Sequence, residues 1–148
     1  MTALDRLTRA LESALIVLLF GMFLMIAVLV VLRYLFATTI IGGNEATIVA
    51  FIYTTAIGAS IAMLRDEHIA INYFVEKLSP RLQGQLLQLR LILLAIVNLV
   101  IVVYSIAWIQ RTGGFLMPTL GAPQMVAQFS IPLGGSLSVL YCTVRLLR

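Results

Sequence analysis

Charge is what this sequence has least of. Only 11% of its 148 residues are Asp, Glu, Lys or Arg, against about 25% in soluble domains. With 61% hydrophobic residues and a mean hydropathy of +1.08, a water-soluble fold would leave too much apolar surface exposed, so the solvent is lipid. Cysteine is nearly absent. The single Cys142 excludes an intrachain disulfide, a Cys-x-x-Cys pair and a thiolate metal cluster. The single His68, without cysteine support, excludes a structural zinc site and bis-histidine haem. No nucleophile–base set, phosphate loop or metal motif occurs, so neither an enzyme nor a cofactor is expected. A net charge of +4 does not point to nucleic acid, because the basic residues sit at the ends of apolar runs rather than in one patch.

What the chain does have is long apolar runs. They predict a single all-α integral membrane domain over residues 1–148, with spans at about 13–35, 45–64, 88–109 and 124–146. The first run, Ser13 to Leu32, is closed by Arg33 and Tyr34. Its roughly 20 residues match a hydrocarbon thickness of about 30 Å and exceed the apolar core of a signal peptide, so an uncleaved helix is expected. The third helix should start at Ser79-Pro80, with the serine as N-cap and proline at the first helical position. Tyr104 and Trp108 sit near its far end, as interfacial aromatics do. Pro132 breaks the fourth run.

Four spans return both termini to one side. That side holds Arg6, Arg9, Arg65, Lys77, Arg81, Arg90, Arg145 and Arg148, and the other holds Arg33 and Arg111. The excess of basic residues places both termini in the cytoplasm. Between the second and third spans, Ile71, Phe74, Val75 and Leu78 follow the spacing of an amphipathic helix. A helix over about 68–78 should lie along the interface; the plainer reading is an ordinary loop helix covering the bundle's end.

Small residues recur every fourth position at Ala46, Ala50, Thr54, Gly58 and Ala62, and again at Ser130, Gly134, Ser138 and Cys142. Such ladders let membrane helices approach closely, so the second and fourth spans are expected to make the tight contact. Arg33 and Glu45 flank one short loop; they either pair or meet water separately. Glu45 also suits the first turn of its helix, where the dipole favours an anion. His68 is expected to hydrogen-bond near the interface rather than relay protons. Asn98 is the one amide well inside a span, and an interhelical hydrogen bond is its expected use. The loop Phe115–Leu120 is apolar; either another protein covers it or it packs on this chain's own helix ends.

Taken together, the four spans, Arg33 ending the first, Glu45 opening the second, Gly58-Ala59 within it, Arg65 before His68-Ile69, then Pro123 and Ile131-Pro132-Leu133-Gly134 resemble the small, DctQ-like membrane subunit of tripartite ATP-independent periplasmic (TRAP) transporters. The likeness covers nearly the whole chain. It departs at Gly42-Gly43-Asn44, where relatives often carry a tryptophan and a second carboxylate. The resemblance implies a bacterial inner-membrane complex with a large, elevator-type membrane subunit that holds the substrate and sodium sites. It also implies a periplasmic substrate-binding protein that delivers an organic acid. The small subunit would brace the static scaffold, in contact with lipid, and a chain ending at Arg148 would be a separate polypeptide. Two rivals remain at this stage. A self-sufficient four-helix exporter would need a carboxylate inside the membrane, and the first span has none after Glu12; a membrane scaffold of unknown partner would need nothing more than is present.

Overall fold

Long runs of Leu, Ile, Val and Met become helices in lipid because every backbone N–H and C=O must find its partner within the segment. The computed structural model describes residues 3–64 and 79–146. These form helices α1 (Ala3–Leu35), α2 (Gly43–Leu64), α3 (Pro80–Thr112), the single turn α4 (Met125–Gln128) and α5 (Ser130–Leu146). Among the described residues four stretches are long and apolar enough to cross a membrane: Arg6–Leu35, Gly43–Met63, Arg81–Thr112 and Met125–Leu146. The expected interfacial helix over about 68–78, with Arg65 and His68, lies outside the described residues.

The helices are of two lengths. α1 and α3 have 33 residues each, about 50 Å at 1.5 Å per residue, so their charged first turns reach beyond the roughly 30 Å hydrocarbon layer. α2 has 22 residues and fits that layer. α1 ends where Ala37 takes a left-handed φ of 48° and the Thr38 amide closes on the Leu32 carbonyl at 3.2 Å. α3 starts at Pro80 as expected, but the Ser79 hydroxyl makes no capping bond. The Ser79 carbonyl instead accepts the Gln83 amide at 3.0 Å.

Pro132 leaves a gap rather than a loop. Lacking an N–H, it cannot serve the carbonyl one turn back, and the helix is interrupted at Phe129 alone. Phe129 keeps helical angles, φ −64° and ψ −18°, and its carbonyl accepts the Leu133 amide at 3.2 Å. α4 and α5 therefore serve as one crossing.

The crossings stand in a row. α1 packs on α2, α2 on α5, and α5 on α3. Residue pairs set the directions. Leu29 meets Gly43 and Leu15 approaches Gly58, so α1 and α2 are antiparallel. Tyr53 reaches Val126 while Met63 reaches Cys142, so α2 and α5 run parallel. One end of the row thus carries Arg33, Glu45 and the 113–124 loop (the loop end), and the other carries the start of α1 and the end of α5. The Met125–Leu146 crossing, one of the two inner ones, forms the core: 44% of its apolar window is buried, against 11% or less in each of the others.

That core is made of small and hydroxyl residues more than of bulky ones. Ser60, Ser130, Ser138, Tyr141 and Cys142 are all buried. A Cβ on Gly134 would stand 2.8 Å from the Ala56 carbonyl oxygen, and one on Gly135 would stand 2.7 Å from Val102 Cγ2. Two consecutive glycines thus admit α2 on one face of α5 and α3 on the next. Lipid supplies no hydrophobic drive between helices, so contact at this range, with its dispersion and polar bonds, holds the row.

The second and fourth crossings do come close, but the bulkier third packs on the fourth just as tightly at Gly135, and α2 uses a different face than the ladder suggests. Ala56, Ser60 and Met63 meet α5. Ala46 and Ala50 line a cavity with Leu18, Met22 and Met25 of α1, and Thr54 Oγ1 lies 3.8 Å from Met22 Sδ. Gly58 has only Leu15 near it, at 4.0 Å. Its ladder faces α1, and loosely. Asn98 also differs from expectation: its Nδ2 donates to Leu94 of its own helix at 2.8 Å. A carbonyl one turn back is always within reach, whereas the facing α5 offers Gly135 with no side chain to bond.

Candidate functional site

Two features stand out at and below the loop end: a clasp on the Glu45 carboxylate, and a hydroxyl relay between α2 and α5. The clasp begins with Gly42. Its φ of +80° is a left-handed conformation, and a Cβ there would stand 2.8 Å from Leu120 Cδ1. A glycine satisfies both conditions at once. The Gly42 carbonyl then accepts the Ala46 amide at 2.9 Å, starting α2. Glu45 falls in the first turn, and its carboxylate extends toward the loop that joins α3 to α4.

That loop closes on itself through backbone bonds. Met117 donates to Ala122 at 2.8 Å, Gly121 to Met117 at 3.0 Å and Gln124 to Phe115 at 2.7 Å. The arrangement leaves two successive amides, Thr119 and Leu120, aimed at α2. Thr119 N–H lies 3.2 Å from both Glu45 carboxylate oxygens, and Leu120 N–H donates to Oε2 at 2.6 Å. Successive amides that converge form an anion-binding concavity, here filled by the chain's own carboxylate. Among the described residues no ion pair joins Glu45 to Arg33. Arg33 instead lines a cavity between α1 and α2 that Asn44 also lines.

The apolar loop splits by side chain. Met117 is buried, whereas Phe115 and Leu116 stay 63% and 65% exposed. Self-packing therefore accounts for only part of Phe115–Leu120. Below it, Tyr53 donates its hydroxyl to the Val126 carbonyl at 2.7 Å, and Gln128 Nε2 donates to Thr112 Oγ1 at 3.0 Å. These bonds tie α2 to α4 and α4 to α3.

The relay lies deeper. Ser138 Oγ donates to Ser60 Oγ at 3.2 Å, and the single Ser60 hydroxyl proton is shared between the Gly134 carbonyl at 2.7 Å and the Ala56 carbonyl of its own helix at 2.9 Å. Ser60, Gly134 and Ser138 are all buried. Of the residues singled out from sequence, the structure thus sets Gly134 against α2 beside Ser60. It places Pro132 buried at the start of α5 and Gly58 toward α1. Arg33 and Glu45 stand at the loop end without touching, and Arg65 and His68 lie outside the described residues. Sequence reasoning missed Ser60, Tyr53 and the Thr119–Leu120 amides. A serine four residues from Ala56 and a tyrosine inside an apolar run were the available signals for the first two; backbone amides leave none.

Among the described residues no group of acidic, histidine or cysteine side chains could hold a metal. No Asp, Glu, Lys, Arg or His occurs in 13–32, 46–64, 91–110 or 112–144. The arrangement holds helices together through close packing and buried hydroxyl bonds.

The family described as tripartite ATP-independent periplasmic transporters, DctQ component, matches residues 5–148. A sialic acid TRAP transporter small permease protein, SiaQ of Vibrio cholerae serotype O1, is 32% identical over 105 residues. The aligned stretch covers 70% of this chain and 60% of that relative.

Proposed function

Because the chain belongs to the family of DctQ components of tripartite ATP-independent periplasmic transporters, which are transport components rather than enzymes, we propose that it acts as the non-catalytic small permease subunit of a sodium-coupled uptake system. In this reading the chain braces a larger membrane subunit that carries the substrate and sodium sites. A periplasmic binding protein delivers an organic acid to the pair. The named relative handles sialic acid, so an acidic sugar is the first substrate to test.

The observation that supports bracing is the row itself. Close contacts at Gly134 and Gly135 and the Ser60 relay tie three crossings into one slab. The two end helices, α1 and α3, leave most of their apolar side chains uncovered. A slab of this kind presents a broad, uncharged wall to a neighbour that moves, and has no charged centre to move with it. Both termini then lie in the cytoplasm, following the distribution of Arg and Lys.

Reconstitution tests the reading. Vesicles carrying this chain with the large subunit, supplied with binding protein and a sodium gradient, are expected to accumulate sialic acid. Vesicles carrying this chain alone are expected to accumulate none. Sustained uptake by the chain alone would overturn it, as would full uptake by the large subunit without it.

A further inference from the structure

The cavity between α1 and α2 at the loop end has an uneven lining. Its volume is about 500 Å³, within the roughly 300–1,000 Å³ of small-molecule sites. At its mouth stand Arg33, Thr39 and Asn44; below them lie Ile26, Val30 and Ile48. Ile26, Val30 and Arg33 share one face of α1, and the eight residues from first to last span about two turns, or roughly 10 Å. The lining thus passes from cationic to apolar along the direction in which a bilayer does.

Among the described residues the Arg33 cation has no counter-ion. Glu45 is the only acid between residues 13 and 64, and 79–148 contain none. The Glu45 carboxylate is held by the Thr119 and Leu120 amides. Among the described residues neither the Arg33 guanidinium nor the Asn44 amide has a hydrogen-bond partner. We propose that this groove binds one membrane phospholipid, with its phosphodiester on Arg33 and Asn44 and an acyl chain along Ile26, Val30 and Ile48. A guanidinium fork matches phosphate oxygens two at a time. A free phosphate would satisfy Arg33 but leave the apolar floor uncovered, and the groove is bordered by α1, an end helix of the row. The acyl chain gains little by leaving bulk lipid, since lipid tails are as apolar as the floor. The headgroup therefore supplies the selectivity, and Arg33 is the residue on which retention depends.

The site is independent of the transport reading and is tested without it. Native mass spectrometry would be run on the chain extracted from its own membrane with its partners retained, and again on the chain alone. Phosphatidylglycerol is the probe, and diacylglycerol supplies the same tails without phosphate. The wild type is expected to keep one phosphatidylglycerol in both preparations and no diacylglycerol. Arg33→Gln should weaken retention by about tenfold or more, the equivalent of a lost charged hydrogen bond. Val30→Trp should displace the lipid by filling the floor while leaving Arg33 in place. Arg111→Gln, which removes the other loop-end arginine, should change nothing. Wild-type retention in both Arg33→Gln and Val30→Trp would overturn the proposal. So would equal binding of diacylglycerol, displacement by equimolar inorganic phosphate, or lipid on the isolated chain only, since the last would mean another protein fills the groove.

Discussion

The Glu45 carboxylate accepts the Leu120 amide at 2.6 Å across 75 residues of sequence. One side chain in the first turn of α2 thereby orders the tip of the loop that leads into α4 and α5. Glu45→Gln keeps one acceptor but loses the charge, and charge-assisted hydrogen bonds are about twice as strong as neutral ones. Glu45→Ala loses both. Hydrogen exchange at Thr119 and Leu120 should quicken in the order wild type, Gln, Ala. Unchanged exchange in the alanine variant would show that the loop holds its shape through its own backbone bonds.

The glycines of this chain divide by what surrounds them. At Gly134 a Cβ meets backbone at 2.8 Å, while at Gly21 nothing lies within 4 Å and at Gly58 only Leu15 at 4.0 Å. Gly134→Ala should therefore destabilise by about 1–3 kcal/mol, the usual cost of overpacking. Gly21→Ala and Gly58→Ala should be neutral or stabilise by up to about 1 kcal/mol through helix propensity. Thermal unfolding in a single detergent checks all three. A stable Gly134→Ala protein would mean that α2 and α5 separate easily, against the close packing described above.

The contrast between Gly134 and Gly58 also marks how far the sequence could be read. Long apolar runs bounded by Arg33, Glu45, Pro80 and Arg145 define four crossings because lipid admits little else. A small-residue ladder says that some helix comes close, not which one. Each residue turns by about 100° along a helix, so Ala56 and Gly58 face different neighbours although both are small. Glu45 poses the same problem in another form. Its partner is a pair of amides, and any residue type carries an amide, so no letter in the sequence marks Thr119 or Leu120. Arg33, the charged side chain across the short loop, was the visible candidate and is not the one used.

In the relay, Ser60 is the shared member. It accepts from Ser138 and donates to Gly134, so Ser60→Ala removes both bonds and strands a buried hydroxyl. Ser138→Ala leaves the bond to Gly134 in place. Membrane side-chain hydrogen bonds average about 0.6 kcal/mol and rarely pass about 1.7. Ser60→Ala should cost about 1 kcal/mol and Ser138→Ala less. Combining them should be no worse than Ser60→Ala alone, because the second change removes a group already without a partner. A double-mutant cycle by unfolding in mixed micelles measures this; simple additivity would mean that the two hydroxyls do not interact.

The turn after α1 holds a residue poorly suited to its conformation. Ala37 has a φ of 48°, where the Cβ of an L-residue crowds the following carbonyl at a cost of roughly 1–2 kcal/mol. Glycine has no such crowding but loses more freedom on folding, which offsets part of the gain. Ala37→Gly should therefore stabilise by about 0.5–1 kcal/mol, and Ala37→Val should destabilise, since branching at Cβ makes left-handed backbone rarer still. Because Thr38 closes on Leu32 only through this conformation, the two variants should also move the protection of the Thr38 amide in opposite directions. If both variants matched the wild type in unfolding and in exchange, the end of α1 would be held by the packing of Leu29 on Gly43 rather than by the left-handed residue that follows it.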